Sequence, residues 1–183
     1  MVTIEQYYEV TTEVNRSKFI AHLMPMSALD GVQERLKRAH PKASHVVYAY
    51  RHLNAHDQIV ENSSDDGEPH GAAGIPILNV LRGKGAIECA VMVVRYFGGT
   101  KLGIGGMVRA YTLAAQNVIA QAEWMPHLKQ IAHAFVTSYS QIQRTEYRLQ
   151  QLGIVQVDRQ FGIGEVTWEI TATQEQIDAF EGL

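Results

Sequence analysis

The sequence is poor in the features that usually announce a location, a cofactor or a chemistry. Its 183 residues include a single cysteine, Cys89, so no internal disulfide can form and a reducing compartment fits. No run of about 18 apolar residues occurs, which argues against a spanning helix. No basic start leads into an apolar stretch, so a secretory leader is not expected. The expectation is a cytoplasmic protein with no membrane partner. A surplus of one charge sign is also missing, the net charge being −3. Residues 1–63 balance seven acids with seven bases, residues 64–111 carry four acids and five bases, and residues 112–183 carry eight acids and four bases. A strong nucleic-acid binder shows a larger basic excess, so any such surface must be local and lie in the middle segment. The spacings HExxH, GxGxxG, GxSxG, the P-loop and the EF-hand loop are all absent. No catalytic residue and no cofactor can be named from motifs. Eight histidines would need convergence across the fold to hold zinc, and Cys89 in an apolar strand reads as an inert buried thiol.

What is present is an ordinary globular composition, 46% hydrophobic and 19% charged, sufficient for a core without disulfides or metal. The residues EQYYEVTTEV, KFIAHLMPM and HVVYAYRH read as strands, with a turn at Asn15-Arg16-Ser17. Ser27 and Asp30 form a capping-box pattern ahead of a helix holding Leu29, Val32 and Leu36, ended by His40-Pro41. Residues 53–70 read as polar and mostly loop. A short helix from Ala73 to Leu81 stops at Arg82-Gly83-Lys84-Gly85. IECAVMVVRYF is the most apolar strand and belongs at a sheet centre, followed by a helix from about Gly105 to Ala122. Trp124-Met125-Pro126 marks a linker, giving domains at 1–123 and 129–183 around residues 124–128. In the second domain QIAHAFVTS, a helix capped by Ser140 and Gln143, a hairpin across Gly162-Ile163-Gly164, and a helix capped by Thr173 and Gln176 follow in turn. The order βαββα is one strand short of the ferredoxin-like unit, and the final strand is expected to be missing beyond Leu183. The fold class is α+β.

The information is concentrated between Ser64 and Tyr111. Ten of fifteen glycines lie between Gly67 and Gly106, five of them Gly98, Gly99, Gly103, Gly105 and Gly106. Glycine costs backbone entropy, so such a cluster needs positive φ or close approach of a backbone or ligand. An apolar strand, a glycine loop and a helix N-terminus in succession make a common anion site. Arg109, read in the first turn of that helix, is disfavoured by the dipole unless it meets an anion. With Arg95 and Lys101 it completes a candidate anion or nucleic-acid site. The preceding SDDGEPHG holds Asp65, Asp66 and Glu68. They are either ligands for a hard cation such as Mg²⁺, or turn chemistry with Gly67 left-handed, or salt-bridge partners of Arg95 or Arg109.

These motifs resemble those of the IMPACT/YigZ family over nearly the whole chain. The resemblance is carried by Ser17-Lys18-Phe19-Ile20-Ala21, by His40-Pro41 with Ala43, His45 and Ala49-Tyr50-Arg51, by Ser64 to Pro69 with Gly71, Ala73, Gly74 and Pro76, and by Val93 to Gly99 with Leu102-Gly103, Gly105-Gly106 and Val108 to Tyr111. Ala72, Ile77 and Met107 depart mildly from the usual Thr, Met and Leu. The resemblance implies a first domain related to domain IV of elongation factor G and to a ribosomal-protein domain, and a ferredoxin-like second domain similar to domain V of that factor. It implies RNA or ribosome binding for bacterial members and translation regulation for eukaryotic ones. Three readings follow. The preferred one is a non-enzymatic nucleic-acid binder using Arg95, Lys101, Arg109 and the loop amides, with Tyr96, Phe97 and Tyr111 available for stacking. The others are a small enzyme for a phosphorylated substrate, using Asp65, Asp66, Glu68 and His70, and a regulator that docks a protein on the same surface.

Overall fold

The computed structural model describes residues 1–182; Leu183, the point beyond which a final strand was expected, lies outside the described residues. The chain divides into two compact units, Met1–His127 and Leu128–Leu183. In the first unit the order is β1 (Val2–Thr3), β2 (Tyr8–Val14), β3 (Ser17–Pro25), α1 (Val32–Ala39), β4 (His45–Leu53), β5 (Ile59–Ser64), α2 (Gly74–Lys84), β6 (Cys89–Tyr96), α3 (Gly103–Gln121) and β7 (Met125–Pro126). Five strands form one sheet in the order β2-β3-β6-β4-β5, antiparallel throughout. The most apolar strand, β6, is the centre, as its composition predicts. It is buried from Cys89 to Arg95 because both of its faces are covered. Cys89, Val91 and Val93 pack with Phe19, Tyr111, Ile77 and Val118 under α2 and α3. Ala90 and Met92 pack with Met24 and Val32 under α1. Strand alternation sends successive side chains to opposite faces, so a continuous apolar run is the signature of this sandwiched position. Burial pushes the Cys89 thiol up to about 12, which fits the inert thiol expected there.

Several local expectations are corrected. Residues 53–70 contain β5, an edge strand whose polar sequence IVENSS hides it; it pairs with β4 from Leu53↔Ile59 to Tyr48↔Ser64. Ser27 and Asp30 do not cap a helix. Met26–Ala28 form a single 3-10 turn, and Gly31, at φ 66°, breaks the chain before α1 begins at Val32 without a side-chain cap. Helix α2 runs through Arg82 and Gly83 to Lys84, and Gly85 in the left-handed region stops it. Met125–Pro126, inside the expected linker, is β7 and pairs with β1.

The second unit contains β8 (Gln130–Ser138), α4 (Ile142–Gln151), β9 (Gln156–Phe161), β10 (Glu165–Thr173) and α5 (Gln174–Glu181). Its antiparallel sheet has the order β8-β10-β9, with Trp168, Ile170, Leu149 and Ile177 in its core. The Thr173–Gln176 capping box is present, each side chain bonding the other's backbone amide at 2.9 and 3.2 Å. The earlier box is displaced by two residues: Gln141, not Gln143, reaches back to the Ser138 amide at 3.1 Å. A 3-10 turn at Tyr139–Gln141 intervenes before α4 and moves the cap to the end of the strand. Among the described residues no helix is long and apolar enough to cross a membrane. The architecture is mixed α and β.

Candidate functional site

The acidic turn is built from local chemistry. Asp66 and Gly67 both take positive φ, 43° and 88°, and the Glu68 amide donates to the Asp65 carbonyl at 2.9 Å, a tight turn of the I′ kind. Its three acids point to three different partners. The Asp65 carboxylate accepts from the amides of Gly74 and Gly71, both at 2.8 Å, and of Ala73 at 3.2 Å. Burial alone would raise its pKa, but the amides of Gly74, Gly71 and Ala73 outweigh it and hold the carboxyl below the usual Asp value. Asp66 accepts from the Val46 amide at 2.7 Å and from Lys37 at 2.6 Å. Glu68 turns inward. Among the described residues no group of three or more His, Cys, Asp or Glu could hold a metal ion. Of the three readings open for Asp65, Asp66 and Glu68, these contacts are those of capping, pinning and ion pairing.

Glu68 is the centre of a buried constellation. Its Oε1 accepts from Arg95 Nη1 at 2.5 Å and from the Tyr111 hydroxyl at 2.7 Å. Its Oε2 lies 3.6 Å from His45 Nε2. The salt-bridge alternative for the acidic turn is thus realised, with Arg95 and not with Arg109. Arg95 was expected on the binding surface, but only 5% of it is exposed. Strand alternation turns it under α3, where Nη1 also meets Met107 Sδ at 3.5 Å. Tyr111 is fully buried against Phe19 and cannot stack on a ligand. Burial, with the hydrogen bond to Glu68, raises its hydroxyl pKa well above the ordinary value. His70 is fully exposed, 3.9 Å from Asp65, and the enzymatic grouping is divided, with Asp65 on the amides of α2, Asp66 on Val46 and Lys37, and Glu68 on Arg95.

The surface proper lies above this constellation, at the loop from β6 to α3. Gly98 is required by close approach: a Cβ there would lie 2.1 Å from the Arg16 carbonyl carbon. Its amide donates to Ser17 Oγ at 3.2 Å. The loop is thereby clamped to the β2–β3 turn, where Asn15 and Arg16 take positive φ. Gly99 and Gly103 also take positive φ, with open space where a side chain would go. Lys101, Gly103, Gly105 and Arg109 are exposed, Gly106 is half-buried, and Phe97 is 52% exposed. Helix α3 starts at Gly103, so Arg109 is its seventh residue and lies past the first turn. The dipole penalty expected for it falls away with that position. Its guanidinium nevertheless leans back over the first turn, Nη1 standing 3.5 Å from where a Cβ of Gly105 would be.

One further cation escaped the sequence reading. Arg16 is exposed on the turn that packs on Gly98. Its signal was the strand pairing that brings the β2–β3 turn beside the glycine loop, which no local pattern displays.

The two helix N-termini of this region differ in one respect. That of α2 receives the Asp65 carboxylate. That of α3 has no side-chain cap and no acid in its first turn. Orphan amides at a helix start attract an anion. The protein fills one such position from its own chain and leaves the other among Arg16, Lys101 and Arg109.

The Impact N-terminal domain matches residues 15–119, from the β2–β3 turn to the end of α3. The chain belongs to the IMPACT family. It is 38% identical over 112 residues to the IMPACT family member YvyE of Bacillus subtilis, covering 60% of this chain and 51% of that protein. An IMPACT family member of Thermus thermophilus is 38% identical over 133 residues, covering 72% of this chain and 70% of the relative. Against the Bacillus protein the matched stretch spans about half its length. A solved structure described as that of a hypothetical protein superposes with a TM-score of 0.75 at 27% identity, covering 99% of this chain and 89% of that one. The IMPACT-family match falls on the first unit and includes every residue of the constellation and of the loop surface described above.

Proposed function

We propose that this IMPACT-family chain is a nucleic-acid-binding protein that contacts RNA or the ribosome and acts in the regulation of translation, with the β6–α3 loop as its contact surface. The observation that carries this reading is the uncapped start of α3, set among Arg16, Lys101 and Arg109. Exposed loop amides and cations suit phosphate oxygens, and the exposed ring of Phe97 suits an unstacked base. Arg95 acts from below, its guanidinium 6.0 Å from the Phe97 ring and 5.5 Å from the Phe19 ring, so it positions the loop floor and does not touch the ligand. The role in translation rests on family membership and on what the family motifs imply. On the same ground we assign the first unit to the fold of elongation factor G domain IV. The second, by its βαββα order and its β8-β10-β9 sheet, we assign to the ferredoxin-like fold.

The test is a salt titration of binding to a labelled single-stranded RNA, alongside co-sedimentation with ribosomes. An ionic site makes log K fall linearly with log salt, with about 0.7 lost from the slope for each phosphate contact removed. Lys101→Ala and Arg109→Ala should each weaken binding across all sequences and flatten the slope by about that amount. Phe97→Leu should lower affinity while leaving the slope unchanged. Binding indifferent to salt, or full affinity in Arg109→Ala, would sink the reading.

A further inference from the structure

A small cavity of about 200 Å³ opens between α3 and the β2–β3 turn. It is made by what α3 lacks. Gly106 and Ala110 both line it and stand four residues apart on one helix face. Together they leave a strip with almost no side chain. Leu102 and Leu113 flank this strip, and Val14 meets it from β2. Leu102 and Val14 pack on the main core, so the base of the cavity is apolar. Farther along α3 the Asn117 side chain donates to Thr12 Oγ1 at 2.9 Å and ties the helix to β2 beyond the hollow.

Its polar groups are Asn15 and Arg109, both exposed. Among the described residues neither side chain has a hydrogen-bond or ion-pair partner. No lining residue is acidic. Glu13, the nearest acid in sequence, alternates to the other face of β2 and pairs in register with Lys18. The Asn15 amide therefore keeps its donors and its acceptor, and Arg109 keeps its donors. The cavity also adjoins the anion site. Leu102 is both a lining residue and the N-cap of α3, and Gly106 lies one helical turn further on, about 5.4 Å along the axis.

An apolar slot too small for a drug-sized ligand, an unspent amide at its mouth and an anion site one turn away match the parts of a single nucleotide. Resting on the RNA-binding reading of the β6–α3 loop, we propose that this cavity receives one unstacked base of a single-stranded RNA whose phosphate sits at the start of α3, and that Asn15 selects adenine. The base enters between Val14 and the Gly106–Ala110 strip, and Arg109 stays with the phosphate. The Asn15 amide donates to adenine N7 and accepts from the N6 amino group. Guanine offers two acceptors on that edge, N7 and O6, which leave the Asn15 carbonyl unpaired. A pyrimidine covers less of the apolar wall.

The experiment is an NMR titration of the full chain with adenosine monophosphate, ribose 5-phosphate and N-acetyl-leucine amide, beside binding of labelled oligoadenylate, oligoguanylate and oligouridylate. Adenosine monophosphate should shift the amides of Val14, Ala110 and Leu113 and the side-chain amide of Asn15. Ribose 5-phosphate should shift only Gly103 to Gly105. Oligoadenylate should bind at least about fivefold tighter than the other two. Asn15→Gly suits the backbone there, at φ 46°; it should level the three affinities and leave the salt slope unchanged. Equal affinities in the unaltered protein, or a preference that survives Asn15→Gly, would overturn the proposal. So would N-acetyl-leucine amide moving the cavity amides as far as the nucleotide does, which would make the occupant a protein side chain. Salt-dependent RNA binding that leaves Val14, Ala110 and Leu113 unmoved overturns the base pocket and spares the RNA-binding reading, whereas no binding of any RNA removes both.

Discussion

Glu68→Ala is the substitution whose consequence follows most directly from the geometry. The side chains of Glu68 and Arg95 are 4% and 6% exposed. One carboxylate oxygen holds both the guanidinium and the Tyr111 hydroxyl, and Arg95 Nε is buried without any partner. Removing the acid leaves a buried cation with still fewer partners, and breaking such a pair costs about 3–5 kcal/mol. The Tyr111 hydroxyl loses its acceptor in the same step. Tyr111→Phe leaves the ion pair whole and should cost less, about 1–2 kcal/mol. Replacing the pair together, Glu68→Gln with Arg95→Met, should recover part of the loss because no charge is left stranded. Native-state hydrogen exchange at Val91 to Val94 is the assay, since these amides belong to the central strand and open only with the first unit. The reasoning is refuted if Glu68→Ala lowers their opening free energy by less than about 1 kcal/mol, or by no more than Tyr111→Phe does.

Three further outcomes follow from the same structure. Asp65→Asn should cost about 1–2 kcal/mol at neutral pH through the lost cap on α2. Because the folded pKa of Asp65 lies below its unfolded value, its contribution is complete above about pH 3.9 and is lost as pH falls through the folded value; the variant should therefore show a flatter acid limb in unfolding followed from pH 5 to 2. His22 is 2% exposed. Burial lowers its pKa, opposed by Glu9 and reinforced by His40, and its Nε2 has no partner. The folded state resists its protonation, so stability is complete above about pH 6.5 and declines below it, by up to about 1.4 kcal/mol per pH unit. Denaturant midpoints of His22→Gln measured from pH 7.5 to 5.5 should lose most of that slope, and an unchanged slope would contradict the assignment. Gly98→Ala should destabilise by about 3 kcal/mol, as its Cβ meets the Arg16 backbone. Gly99→Ala, with positive φ but open space, should cost only about 1–2 kcal/mol; equal losses in thermal unfolding would show that the clamp is not what Gly98 provides.

Much of this protein is legible along the chain. The central position of β6 follows from an unbroken apolar run, and the last helix from Thr173 and Gln176, because both signals lie within a few residues of the feature they predict. The left-handed Gly67 and the pairing of the acidic turn with an arginine were also within reach of local chemistry. Strand β5 was not, since IVENSS at a sheet edge needs no apolar alternation when one side faces solvent. The division of labour among the charged residues was hidden for a different reason. Whether Arg95 meets solvent or Glu68 depends on which face of β6 it leaves and what α3 lays over it. That Arg16 joins Lys101 and Arg109 depends on β3 pairing with β6 across more than seventy residues of sequence. Residue types and short spacings determine that the segment from Ser64 to Tyr111 must turn, cap and expose amides. Only the packed sheet decides which of its charges are consumed inside the protein and which remain for a ligand, because burial and ion pairing are set by neighbours distant in sequence.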